Sequence, residues 1–209
     1  MSPLPAPTFP FPLFQVRDGD GWQKVSARET YADPYIQIER ADYLTPGRPN
    51  QPVPWTIAHR KAAVAIAPVL EDGRYLLIAQ ERLPVQDTLW EFPAGQIDIA
   101  NSPTPHQTII DTALAELREE AGVALHPELG RLEPLGYFLP SQGFTTEHVY
   151  LFRAEPVCVV GLPEPEASEH ISTVRPVSAG ELRRMIADNE ITNALTLALF
   201  ARMSAKGQI

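Results

Sequence analysis

Apolar positions along the chain fall into two kinds of pattern. Residues 62–70 form a continuous apolar run, Glu71, Asp72, Gly73 and Arg74 make a polar turn, and 75–79 is apolar again. This predicts a hairpin of two largely buried strands. Residues 22–45 are rich in β-branched and aromatic side chains and predict strands at 23–30 and 35–43, parted at Ala32, Asp33 and Pro34. Pro46, Gly47, Pro49, Pro52 and Pro54 then interrupt the pattern, so 45–54 reads as a loop and a subdomain boundary. Residues 1–55 are therefore expected to form a small β-rich N-terminal piece, with 56–209 as the main domain. A short strand at 89–92 leads into a Pro93-Ala94-Gly95 turn. Further strands are expected at 132–139, at 148–154 (ended by Glu155 and Pro156) and at 171–177, with 163–168 as a loop. Helices at 178–188 and 192–203 close the chain, opened by Ser178 and Thr192 as N-caps. Strands and helices interleave, so the fold class is α/β or α+β with a mixed sheet.

Between these strands lies one strongly patterned helix. Thr104 suits an N-cap, Pro105 the first helical position, and Gln107 the third, completing a capping box. Ile110, Ala113, Leu114, Leu117 and Ala121 make one apolar stripe, and Gly122 follows where a left-handed cap would stand. The helix spans about 17 residues, or 25 Å at 1.5 Å per residue. Glu116 and Glu120, four apart, share a face beside the stripe, and Glu119 lies slightly round from it. All three stand at the helix C-terminus, where the macrodipole disfavours each negative charge by about 0.3–1 kcal/mol. A hard cation with oxygen ligands would account for such a cluster, and so would a solvated acidic helix end.

Composition narrows the function classes. With 17 Lys plus Arg against 26 Asp plus Glu, the net charge of -9 disfavours a general nucleic-acid binder, whose affinity needs clustered cations. A small anionic substrate remains compatible, because bound metal ions reverse the sign locally. The 44 % hydrophobic content is ample for a core. Cys158 is the single cysteine, so no intrachain disulfide can form, which suits a reducing compartment. The proline-broken start of the chain has no basic region of the kind a signal peptide carries, and no run approaches the roughly 18 apolar residues of a membrane span. A soluble, cytoplasmic protein without membrane or nucleic-acid partners is the expectation.

Gly95 together with the string Ala115-Glu116-Leu117-Arg118-Glu119-Glu120-Ala121-Gly122-Val123 resembles the Nudix box of diphosphate hydrolases. The surroundings narrow the resemblance. Gln80-Glu81-Arg82, then Glu91-Phe92-Pro93-Ala94-Gly95-Gln96-Ile97-Asp98, and later Pro140-Ser141-Gln142-Gly143-Phe144 with Glu147, look like the ADP-ribose pyrophosphatase branch. The resemblance covers about residues 55–203. It departs from the family pattern in three places: Gln107 stands where the family has its first Glu, Ala115 where it has an Arg, and six extra residues lie between Gly95 and Gln107. In the family that Glu and Arg brace the loop against the helix. Losing both leaves no stranded charge, and the Thr104/Gln107 capping box would hold the helix start instead.

The resemblance implies an α/β/α sandwich with a mixed β-sheet, a small β-rich N-terminal subdomain that forms a homodimer, and Mg²⁺ (or Mn²⁺) as cofactor. Glu116, Glu120 and the Ala94 carbonyl would be metal ligands, with Glu119 serving a second ion or acting through water. The general base would come from the acidic loop with Glu164, Glu166 and Glu169, or from Glu147; Glu119, Glu147, Glu166 and Glu169 are thus the catalytic candidates. Arg82 and Gly95 are candidates for substrate contact, Arg82 as a bidentate donor, although it could instead pair with Glu81 or Asp87. Trp22, Tyr35 and Trp55 could stack on a base or serve as core. The implied reaction is hydrolysis of ADP-ribose or a related nucleoside diphosphate sugar. The rivals are another diphosphate substrate such as GDP-mannose or a dinucleotide, and a catalytically weak ligand sensor.

Overall fold

Pairing of the N-terminal strands accounts for the smaller of two units in the computed structural model, which describes residues 11–16, 19–97, 104–165, 167 and 169–209. This unit comprises Leu13–Ala62 and Leu139–His148. Its strands β1 (Gln23–Ala32), β2 (Gln37–Thr45) and β3 (Arg48–His59) form an antiparallel sheet in the order β1-β2-β3. Asp33 makes the first turn, its Oδ1 accepting from the backbone N–H groups of Tyr35 and Ile36, each at 2.8 Å. The loop expected at 45–54 is instead mostly strand: β3 begins at Arg48 and carries Pro49, Pro52 and Pro54. Proline cannot donate to a ladder, and β3 tolerates three because it is an edge of its sheet. Residues 139–148 belong to this unit through backbone hydrogen bonds. Ala58 N–H donates to Phe144 O at 2.7 Å and Thr146 N–H to Ala58 O at 3.0 Å.

The larger unit comprises Met1–Pro12, Ala63–Phe138 and Val149–Ile209. The expected hairpin is present as β4 (Ala63–Leu70) and β5 (Tyr75–Arg82), followed by β6 (Asp87–Glu91), β7 (Ala94–Gln96) and α1 (Pro105–Glu119). Then come β8 (Val123–Leu125), β9 (Arg131–Phe138), β10 (Val149–Val159), β11 (Ile171–Val177), α2 (Ala179–Ala187) and α3 (Ala194–Ala205). The sheet runs β11-β5-β4-β10-β8, with β6 on β5, β7 on β4 and β9 on β10. The β4–β10 pair is parallel and the others are antiparallel, so the sheet is mixed, as expected.

Alternation along β4 sorts the two faces. Ala63, Ala65, Ala67 and Val69 pack in one core with Leu182, Met185, Leu199 and Met203 of the closing helices. Val64 and Ile66, equally buried, point the opposite way, towards the face on which α1 meets β4 and buries Ile109, Ile110, Ala113 and Leu117. Helices on both faces of one sheet give the α/β/α sandwich. Each of these large apolar side chains contributes about 1.5–3 kcal/mol by leaving water.

Several local details differ from the pattern reading. Thr104 caps α1 by accepting from Gln107 N–H at 3.2 Å, but the Gln107 amide donates forward to Asp111 at 2.7 Å, so the capping box is half made. An i,i+4 Gln–Asp pair on the helix surface won that amide. The helix has 15 residues rather than 17, with Glu120 as its C-cap. Helix α3 is capped by Asn193, one residue later than expected, with its Oδ1 accepting from Thr196 N–H at 2.9 Å. Strand β10 does not stop before Glu155. A register shift against β4 between Ala154 and Val157 absorbs Pro156, and the strand continues to pair with β8. Part of the inserted loop, 98–103, lies outside the described residues. Among the described residues no helix is long and apolar enough to cross a membrane.

Candidate active site

The site is built where the β6–β7 connection meets the C-terminal turn of α1. That connection is fixed on both sides. Phe92 N–H donates to Thr196 Oγ1 at 2.9 Å, and the Pro93 carbonyl accepts from Ile66 N–H at 2.9 Å. Ala94 and Gly95, expected in a turn with Pro93, instead pair with Gln96 as β7, antiparallel to Ala65, Val64 and Ala63. Against this short strand α1 presents Glu116. A Cβ built on Gly95 would lie 1.7 Å from Glu116 Oε1, so only glycine leaves room for that carboxylate. One turn later Glu120 is fully buried, and its Oε2 accepts from Ala94 N–H at 2.7 Å. The chain leaves the helix through Gly122 at φ +64°. There a side chain would be strained and would also meet Gly161 O at 2.5 Å.

Glu120 is held in an environment hostile to its charge. Burial, then the negative charge of Glu116, pushes its pKa up to about 9. The hydrogen bond from Ala94 opposes this, Glu169 adds further negative charge, and Arg82 gives slight relief. Its second oxygen, Oε1, is buried and has no hydrogen-bond partner among the described residues. Arg82 pairs with neither Glu81 nor Asp87. Its Nε and Nη2 fork the fully buried Glu91 carboxylate at 2.9 and 2.6 Å. Burial alone would lower the Arg82 pKa, but Glu91 outweighs it and the guanidinium is held more firmly protonated than usual.

The other candidates divide between units. Glu169 lies two residues before β11 and accepts at Oε1 from Gln80 Nε2 at 3.3 Å; its charge is felt at both Glu120 and Arg82. Glu119 is exposed beside Arg118, and its backbone carbonyl accepts from Glu164 N–H at 2.7 Å, so the loop after β10 closes the helix end. Glu166 lies outside the described residues. Glu147 belongs to the smaller unit, where it pairs with Arg60 at 3.6 Å. Trp22, Tyr35 and Trp55 belong to that unit too and are all more than half exposed or at half exposure, at 51 %, 67 % and 50 %. Gln80 and Glu91 stand in the sequence reading only as members of the quoted strings, with no role of their own, and Thr196 not at all. Their shared signal is a polar side chain in or beside an apolar run, at a position that the strand or helix period turns inward.

Does this arrangement suit a cation? Among the described residues no group of three or more His, Cys, Asp or Glu side chains stands ready-made around a metal. Two carboxylates do meet at the β7 backbone, one with a buried oxygen that lacks a donor. That is a fit for Mg²⁺, which keeps several waters and needs only one or two carboxylates plus substrate phosphates.

Comparison with known proteins gives a consistent picture. The NUDIX domain family model matches residues 59–200. The chain is 28 % identical over 140 residues to ADP-ribose pyrophosphatase of Bacillus subtilis, covering 67 % of this chain and 70 % of that protein. It is 28 % identical over 177 residues to ADP-ribose pyrophosphatase of Mycobacterium tuberculosis, covering 85 % and 80 %. Methanol dehydrogenase activator of Bacillus methanolicus is 30 % identical over 99 residues, covering 47 % and 48 %. A solved structure described as an ADP compounds hydrolase superposes with a TM-score of 0.70 at 14 % identity, covering 93 % of this chain and all of that one, a likeness of fold.

Proposed function

Because this chain belongs to the Nudix family, with its domain over residues 59–200, we propose that it hydrolyses the diphosphate of ADP-ribose or a related nucleoside diphosphate sugar with Mg²⁺. Pyrophosphohydrolase chemistry follows from the family and from the two similar ADP-ribose pyrophosphatases. The observation that carries the finer reading is the carboxylate pair at β7: Glu116 seated against Gly95, and buried Glu120 with one oxygen bonded to Ala94 and the other without a donor.

In this reading Glu116, Glu120 and the Ala94 carbonyl hold the ion, and Glu119 acts on it through water. Bound Mg²⁺ neutralises and orients the phosphates and lowers the pKa of a coordinated water. Gly95 lets backbone and carboxylate approach, and Arg82 gives its positive charge to the diphosphate while Glu91 fixes its plane. Glu169 is the general base: it takes a proton as a water oxygen bonds to phosphorus and the bridging P–O bond breaks, giving AMP and ribose 5-phosphate from ADP-ribose. Its charge reaches Glu120 and Arg82, which supports it over Glu147, already paired with Arg60, and over Glu164 and Glu119.

The smaller unit supports a homodimer. Strand β1 is exposed along its whole length, and Trp22, Val25, Tyr31, Tyr35, Trp55 and Phe144 are large apolar side chains left open to solvent, a surface that a second copy would cover. Light scattering at micromolar concentration tests this, and a monomer counts against it. The main test is a panel of ADP-ribose, GDP-mannose and dinucleotides with and without Mg²⁺, run on the unsubstituted chain and on Glu120→Gln. Cleavage of ADP-ribose that needs both Mg²⁺ and Glu120 supports the reading. Binding of ADP-ribose with no cleavage of any diphosphate would move the chain to the sensor class.

A further inference from the structure

The geometry points to Gln80 as the positioning residue that holds Glu169 over the site, an inference that rests on the reading of Glu169 as general base. Gln80 and Arg82 are two apart on β5 and so project from the same face of the sheet, the face on which α1 lies. Gln80 is only 2 % exposed, an unusual place for an amide at the end of the run Tyr75–Ala79. Its Nε2 donates to Glu169 Oε1. A carboxylate only accepts, so this bond decides which way the amide faces, and it leaves Gln80 Oε1 buried with no partner among the described residues. A Met or Leu here would bury its bulk without an orphan acceptor. The amide is therefore poorly explained by packing and well explained by its carboxylate partner.

The backbone places the two residues together independently of that bond. Ile171 is the register partner of Gln80, and Glu81 N–H donates to His170 O at 3.0 Å, so β11 is stitched to β5 up to the residue after Glu169. The ladder fixes where Glu169 leaves the sheet but not where its carboxylate points. Gln80 supplies that second constraint, aiming the carboxylate to the side of β5 that carries Arg82. Removing the amide leaves the ladder intact and the base misaimed.

The experiment compares the full chain with Gln80→Met, Glu169→Ala and the double variant, measuring kcat and KM for ADP-ribose with Mg²⁺ and the urea midpoint with chelator. Gln80→Met is expected to lower kcat about 10-fold with KM changed less than 2-fold, with a midpoint equal to or above that of the unsubstituted chain. In the Glu169→Ala background the same substitution should change kcat less than 2-fold, because nothing remains to be aimed. Equal loss in both backgrounds, or a kcat loss that tracks a lowered midpoint, overturns the positioning role. Wild-type kcat for Gln80→Met beside a slow Glu169→Ala overturns it alone and leaves the base in place. Wild-type kcat for Glu169→Ala overturns the base and with it this inference, and absence of turnover by the unsubstituted chain removes the hydrolase reading as well.

Discussion

Replacing Glu120 by Gln should make the metal-free protein more stable while it destroys the activity. In the folded chain the Glu120 carboxyl titrates at about 9, against 4.5 for the group in the unfolded chain. The sign follows from which state holds the proton. Below pH 4.5 both states hold it and the shift costs nothing; above 4.5 the unfolded chain releases it while the folded chain keeps it, so stability falls with rising pH until both release it beyond 9. At 1.36 kcal/mol per unit, the loss between pH 4.5 and 7.5 is on the order of 4 kcal/mol, and at pH 5 it is under about 1 kcal/mol. Glutamine keeps the shape, its carbonyl oxygen can accept from Ala94 N–H, and it has no charge to lose. Urea unfolding in chelator at pH 5 and pH 7.5 therefore separates the two proteins by little at the lower pH and by several kcal/mol at the higher, the variant being the more stable. Millimolar Mg²⁺ should close that gap by stabilising only the unsubstituted chain. A variant less stable at pH 7.5, or a difference of the same size at both pH values, refutes the buried high-pKa carboxylate.

Three further substitutions probe the frame around it. Arg82→Ala strands the fully buried Glu91 and should cost about 3–5 kcal/mol in urea unfolding. Adding Glu91→Gln should recover a good part of that, and a double variant no more stable than the single would dismiss the ion pair as the cause. Gly95→Ala puts a methyl where Glu116 Oε1 now sits, so the carboxylate must swing aside; hydrolysis should fall about 100-fold with the fold retained, read by rate and circular dichroism. Asn193→Ala should lose about 1 kcal/mol as the cap of α3 goes, whereas Thr192→Ala should be nearly neutral in the same thermal melts.

Legibility of the chain tracked how local the deciding interaction was. The caps Thr104 and Ser178, the glycine Gly122 and the Glu116/Glu120 face are set within one or two helical turns, and spacing alone revealed them. Strand β3 was hidden because three prolines signal a loop unless the strand is known to be an edge, and edge position is a property of the assembled sheet. Pro156 hid the end of β10 in the same way, since a register shift elsewhere in the ladder absorbs it. For Arg82 the sequence offered its neighbours Glu81 and Asp87. Strand alternation turns Glu81 to the other face, and the hairpin register brings Glu91, which lies opposite Ile78, within reach of the arginine from the same side.

That pairing decides the charge of the whole site. With Arg82 engaged by Glu91 the two cancel, and Arg82 contributes only slight relief at Glu120. Glu116 and Glu169 both push the Glu120 pKa up, and the negative end of the α1 dipole works in the same direction. Had the guanidinium forked Glu120 instead, it would occupy the carboxylate that a cation is to use, and the cation would gain less by entering. By giving Arg82 a buried partner of its own, the fold keeps that charge from being committed to Glu120. The same fork keeps that arginine from collapsing onto the carboxylates. An arginine held flat beside an acidic pair can face a diphosphate only once the acids have a cation, which couples substrate affinity to the metal. Substrate affinity should therefore rise with Mg²⁺ in the unsubstituted chain, and that dependence should weaken in Glu91→Gln, where the arginine is released towards Glu120.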